Sequence, residues 1–147
     1  MEENSDMWNM IWPILVVVGS NTIYNIAAKA TPAEVNPFAS LALSYAIGAA
    51  CSLALFFATA ENKNLAAELA KTNWASLALG LAIVGLEFGY LCIYRAGWKI
   101  SVASLVANIS LACVLLMVGL LLYRETVSVK QAVGMALSAI GLILVAK

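Results

Sequence analysis

Five long apolar stretches, almost free of charge, dominate the chain: 7–28, 35–60, 72–94, 100–123 and 126–146. A helix rising ~1.5 Å per residue needs about 20 such residues to cross a bilayer. Within the five stretches only Glu87, deep in the third, and Lys130, one turn into the fifth, are charged. Lys130 is near enough to an end for its side chain to reach the interface. The connections are short, the longest being 61–71, and leave no room here for a water-soluble domain. A β-barrel is excluded, because its strands alternate apolar and polar over about ten residues whereas these runs are continuous. The expectation is an all-α membrane protein, one domain of five transmembrane helices over 1–147.

Composition excludes several functions. With 63% hydrophobic and 11% charged residues, the chain is too apolar for a soluble enzyme or a disordered segment. Eight Lys and Arg against eight Asp and Glu leave no basic excess for nucleic acid. There is no His, the only Asp is Asp6, and no glycine-rich phosphate loop is present. Histidine-based nucleophilic or metal chemistry, a paired-aspartate membrane protease and an ATP-driven pump within this chain all lack their residues. No enzyme activity, metal or cofactor is expected. Cys51, Cys92 and Cys113 all fall inside spans and read as small apolar packing residues.

Other residues punctuate the spans. Trp8, Trp12, Trp74, Trp98 and Tyr123 stand at span ends, as an aromatic belt does. Pro32 and Pro37 bracket the first connection, where proline breaks a helix harmlessly. The acidic start, Met-Glu-Glu-Asn-Ser-Asp, is unlike a signal peptide, so the first span is expected to be retained. Orientation is undecided by charge. Lys63, Lys71, Arg124 and Lys130 on one side balance Lys29, Arg95, Lys99 and Lys147 on the other, four against four. The positive-inside rule then gives no answer. Either local effects fix one orientation, or copies insert both ways and pair antiparallel.

Four spans carry polar stripes at helical spacing. Asn21, Asn25 and Lys29 share a face of the first, beside Tyr24. Ser40, Ser44, Gly48 and Ser52, beside Tyr45, mark the second. Glu87, Tyr90 and Tyr94 mark the third, and Ser101, Ser104 and Asn108 the fourth. Each residue alone reads as interhelical glue worth ~0.6 kcal/mol; four stripes together fit one polar cavity. Glu87 is the deepest charge. Trp74 lies thirteen residues before it, about 20 Å along a helix, and Trp98 eleven after, about 16 Å. An ionised acid near mid-membrane costs at least ~2.5 kcal/mol. It escapes by taking up a proton or by pairing, with Lys29 the possible charge partner. Exchange of a proton for a cationic substrate on Glu87 would couple the two. Gly85 and Gly89 around the acid, and Gly134, Ser138 and Gly141 in the last span, form small-residue stripes expected to serve helix packing or dimerisation.

The C-terminal part carries Tyr94-Arg95-Ala96, Ser101-Val102-Ala103-Ser104 and Asn108, then Tyr123-Arg124-Glu125, Ser128, Gln131, Gly134 and Ile140-Gly141-Leu142-Ile143-Leu144. With Asn25, Lys29 and Pro37 near the end of the first span, this pattern resembles the EamA-type half of the drug/metabolite transporter superfamily. Glu125 and Gly134 match the family's acidic turn after the fourth span and glycine in the fifth. The resemblance covers nearly the whole chain. It implies one five-helix repeat of a fold that usually holds two, related by inverted topology, with substrate at their interface. A ten-helix homodimer, with antiparallel pairing open, would complete it. The four-helix multidrug relatives carry their acid in the first helix and are not matched. No family-wide acid corresponds to Glu87.

The expected function is therefore secondary active transport of small metabolites or drug-like molecules, coupled to protons, by alternating access. The resemblance favours export by proton antiport across a prokaryotic inner membrane. Glu87 would take proton and substrate in turn, and Asn21, Asn25, Tyr45, Tyr90, Tyr94, Ser104 and Asn108 would line the path. Tyrosine faces suit an organic cation. The expected partners are a small-molecule substrate, protons, membrane lipid and a second copy, with no nucleic acid. Two alternatives remain open: a non-transporting accessory subunit, and one component of a lipid-carrier flippase using Lys29 or Arg95.

Overall fold

The structure is a computed structural model that describes residues 2–126 and 128–146. Val127, inside the predicted fifth span, and Lys147, counted among the cations, lie outside the described residues. The described residues form helices only: α1 (Glu2–Ala30), α2 (Pro37–Thr59), α3 (Leu65–Leu69), α4 (Trp74–Arg95), α5 (Ile100–Leu121) and α6 (Val129–Ala146).

Local chemistry sets the helix starts. Asn36 caps α2, its side-chain oxygen accepting from the backbone N–H of Phe38 at 2.9 Å and of Ala39 at 3.4 Å. Pro37 follows in the first turn, where a missing N–H costs nothing. Before α6, Ser128 and Gln131 cap reciprocally. The Gln131 N–H donates to the Ser128 hydroxyl at 3.3 Å, and the Ser128 N–H donates to the Gln131 side chain at 2.9 Å. Asn64 caps the single-turn α3 through the Ala67 N–H at 3.1 Å. Sequence reasoning treated 61–71 as plain connection and missed this turn. Pro13 lies inside α1 without ending it, as membrane helices tolerate.

Four helices among the described residues are long and apolar enough to cross a membrane: Met7–Ala30, Pro37–Thr59, Trp74–Arg95 and Ile100–Leu121. The 23 residues of α2 rise about 34 Å, enough for a hydrocarbon core of about 30 Å. The predicted fifth span falls on the 18-residue α6. Large side chains such as Leu43, Leu77, Leu79, Leu81 and Leu121 are exposed. In water such a surface would aggregate; against lipid tails it is the natural outside of a membrane protein.

The chain forms two compact units, Ala27–Arg95 and a second made of Met1–Ile26 with Ala96–Lys147. In the first, α2 packs on α4. The Phe38 and Phe88 rings stack there, centroids 4.9 Å apart and planes 12° from parallel. Arg95 ties the α1–α2 connection to the end of α4, donating from Nη2 to the carbonyls of Val35 at 2.6 Å and Pro32 at 3.3 Å. In the second unit α5 packs on α6. There the α5 terminus is closed by Arg124 at φ 52 and by the Glu125 N–H, which donates to the Gly119 carbonyl at 3.0 Å.

Candidate functional site

The second unit contains a groove of about 560 Å³ between α1 and α5. Helical spacing builds both walls. On α1, Asn21 and Asn25 are one turn apart and bind each other. The Asn25 amide nitrogen donates to the Asn21 side-chain oxygen at 2.8 Å and to its backbone carbonyl at 2.7 Å. Asn25 is 4% exposed, the one buried polar residue among those described. On α5, the Asn108 amide nitrogen donates to the Ser104 hydroxyl at 3.2 Å. Ser101 lies one turn before Ser104 on the same wall, and Val18, Ile26, Ile100 and Leu105 supply the apolar surface. The structure thus brings together four of the expected site residues: Asn21, Asn25, Ser104 and Asn108. Sequence reasoning missed Thr22, which also lines the groove. Its position three residues before Asn25 was the available signal.

The other expected residues belong to the first unit. Tyr45 on α2 and Glu87 on α4 face each other. The tyrosine hydroxyl is buried, and its interaction with the half-buried carboxyl falls short of a well-formed hydrogen bond. Tyr90 and Tyr94, one turn apart, stack with centroids 6.1 Å apart and planes at 28°. Lys29 sits on Tyr94, its ammonium 5.7 Å from the ring centroid and 3.4 Å from the backbone carbonyl. A cation over a tyrosine face is attracted by the ring quadrupole. Asn21 and Asn25 of the first stripe therefore meet the fourth stripe in one unit, while Lys29 of the first stripe falls with the second and third stripes in the other.

The small-residue positions divide. A Cβ added at Gly85 or Gly89, or at Gly134 or Gly141, meets nothing within 4 Å in its own unit. The close approach falls instead at Gly119, where an added Cβ would lie 2.6 Å from Glu125 Oε2. Gly134 and Ser138 line a notch of about 460 Å³ with Glu125, Gln131 and Met135.

Four helices of spanning length are those of a multi-pass membrane protein, and a family comparison agrees. The EamA-like transporter family model matches residues 8–147. The chain belongs to the EamA-like transporter family. It is an integral, multi-pass membrane protein with a transporter-like function, for which small-molecule substrates and membrane lipid are the implied partners. No curated protein and no solved structure matches it.

Proposed function

We propose that this family member is a proton-coupled secondary transporter of small metabolites or drug-like molecules, and not an enzyme. It works by alternating access as a homodimer. The observation that carries the reading is the groove between α1 and α5, where paired carboxamides and hydroxyls line helices long enough to span a bilayer. A helix that only fills lipid has no use for them, and a solute that must leave water does. Glu87 supplies the proton site, since it is the only acid deep in a predicted span. The buried Tyr45 hydroxyl facing it gives the carboxyl a neighbour whose hydrogen bonding can change with its charge.

A second copy would complete the path, because the family resemblance implies one five-helix repeat and inverted repeats bind substrate at their interface. The four-against-four cation count fits an antiparallel pair, and the membrane is taken to be a prokaryotic inner membrane. Open space over Gly85, Gly89, Gly134 and Gly141 leaves those faces available for close helix approach. The flippase reading is less well supported. The cations it needs are engaged with backbone carbonyls, Lys29 with that of Tyr94 and Arg95 with those of Pro32 and Val35.

The test is solid-supported-membrane electrophysiology on purified protein in liposomes. A metabolite and organic-cation panel is applied with and without a pH gradient, using Glu87→Gln as the control. Substrate currents that depend on the gradient, and lose that dependence in Glu87→Gln, are expected. Gradient-dependent currents that persist unchanged in the variant remove Glu87 from the mechanism.

A further inference from the structure

The groove and the acid differ in chemistry. Ten residues line the groove and none carries a charge or an aromatic ring. Its polar groups are carboxamides and hydroxyls, bonded to one another in pairs. The Asn21 side-chain oxygen accepts from Asn25, which turns its amide nitrogen, a donor, away from that partner. The Asn108 amide nitrogen is given to Ser104, which turns its side-chain oxygen, an acceptor, elsewhere. Both walls thus carry donors and acceptors, since the Ser104 hydroxyl that accepts from Asn108 still has its own O–H and each carboxamide has two N–H groups and an oxygen. Val18, Ile26, Ile100 and Leu105 offer aliphatic cover between them.

We propose that the groove takes an uncharged solute bearing several hydroxyl or amide groups. The proposal rests on the transporter reading and names the chemical class of its solute. A cation entering the groove would lose its hydration and meet no carboxylate and no aromatic face. An anion would meet no Lys or Arg. Amides and hydroxyls do not repay the desolvation of a full charge, but they do repay that of a neutral hydroxyl or amide. A concave site with an apolar lining and a few placed polar groups is the usual form of a small-molecule site. An uncharged cargo also makes the cycle electrically simple, the proton on Glu87 being the one charge that moves.

The test is the charge preference of a thiol placed in the groove. Cys51, Cys92 and Cys113 are replaced, Ser104→Cys is introduced, and the protein is reconstituted in liposomes. It is treated with three methanethiosulfonates of similar size: a neutral hydroxyethyl, a cationic trimethylammonium and an anionic sulfonate reagent. Rates are normalised to the same reagents acting on a free thiol. Val17→Cys, exposed and outside the groove lining, gives the reference for a reagent that only partitions into lipid. Ser101→Cys repeats the measurement one turn away, should Ser104→Cys fail to fold. The expected result is a neutral reagent faster than both charged ones by about tenfold, and faster at Ser104→Cys than at Val17→Cys. A charged reagent as fast as the neutral one, or no reaction above the Val17→Cys level, overturns the proposal. Proton-coupled currents measured on the same cysteine-replaced protein keep the two readings apart. Coupling with a cation-selective groove removes this inference alone. A neutral-selective groove without coupling keeps the solute class and removes proton coupling from the proposed function.

Discussion

Gly97 offers a test of the backbone geometry that owes nothing to side-chain contacts. It lies between the end of α4 at Arg95 and the start of α5 at Ile100, at φ 90. A Cβ added there meets nothing within 4 Å, so a substitution clashes with no neighbour. What remains is the local cost of placing an L residue in left-handed backbone, roughly 1–2 kcal/mol. Alanine also restricts the unfolded chain, which returns about 0.4–1 kcal/mol. Gly97→Ala is therefore expected to lower stability by about 1 kcal/mol, the difference of those two effects. Gly97→Asn should lose less, because asparagine tolerates positive φ, and Gly97→Val more, because branching at Cβ does not. Arg124 is the converse. It already holds φ 52 without being glycine, so Arg124→Gly is the reverse exchange and should raise stability by about 1 kcal/mol. The assay is an SDS titration in mixed micelles, read by tryptophan fluorescence, with Trp98 beside the altered position. Gly97→Ala as stable as the parent, or Gly97→Val no worse than Gly97→Ala, would refute the reasoning.

The same titration checks three other substitutions. Asn25→Ala removes two hydrogen bonds to Asn21, of 2.7 and 2.8 Å. At ~0.6 kcal/mol each in a membrane it should cost about 1 kcal/mol, and substrate currents should fall with it. Ser44→Ala with Ser52→Ala should move stability by less than about 0.5 kcal/mol, since each hydroxyl bonds only its own helix. Gly119→Ala would put its Cβ 2.6 Å from Glu125 Oε2, but that oxygen ends a flexible, exposed side chain and can swing away. The helix meanwhile gains up to about 1 kcal/mol of alanine propensity, so a neutral or stabilised variant is expected. A strongly destabilised Gly119→Ala would mean that the carboxylate is held in place.

The large features were legible because membrane burial writes them plainly. Uncharged runs gave the positions of the spanning helices and Pro37 the end of the first connection, whereas the caps Asn36 and Ser128-x-x-Gln131 stood in the sequence unread. The Asn21–Asn25 and Ser104–Asn108 pairs followed from i, i+4 spacing, which needs no tertiary knowledge. Other features left no local trace. Lys29 and Tyr94 are 65 residues apart, and nothing in either segment names the other. The approach of Glu125 to Gly119 depends on a left-handed Arg124, a residue type that does not announce that conformation. The single turn of α3 is too short to show a period.

The hydroxyls explain why equal-looking polar stripes did not carry equal information. A serine or threonine in a helix has one donor and can give it to the carbonyl four residues back. Thr22 does so to Val18 at 2.8 Å, Ser44 to Ser40 at 3.1 Å, Ser52 to Gly48 at 2.8 Å and Ser138 to Gly134 at 3.0 Å. Such a residue is content against lipid, so the serine stripe of α2 demands no cavity. A carboxamide has two donors and an acceptor and cannot satisfy them all on its own backbone. It must turn towards another polar group, and in this chain Asn21 turns to Asn25 and Asn108 to Ser104, both on the groove. A tyrosine hydroxyl stands too far from its own backbone for the same escape, which is why Tyr45 is found opposite Glu87 rather than bonded within α2. In a spanning helix, then, Asn, Tyr and Glu indicate a polar site, and Ser and Thr gain that meaning only when one of the former reaches them, as Asn108 reaches Ser104.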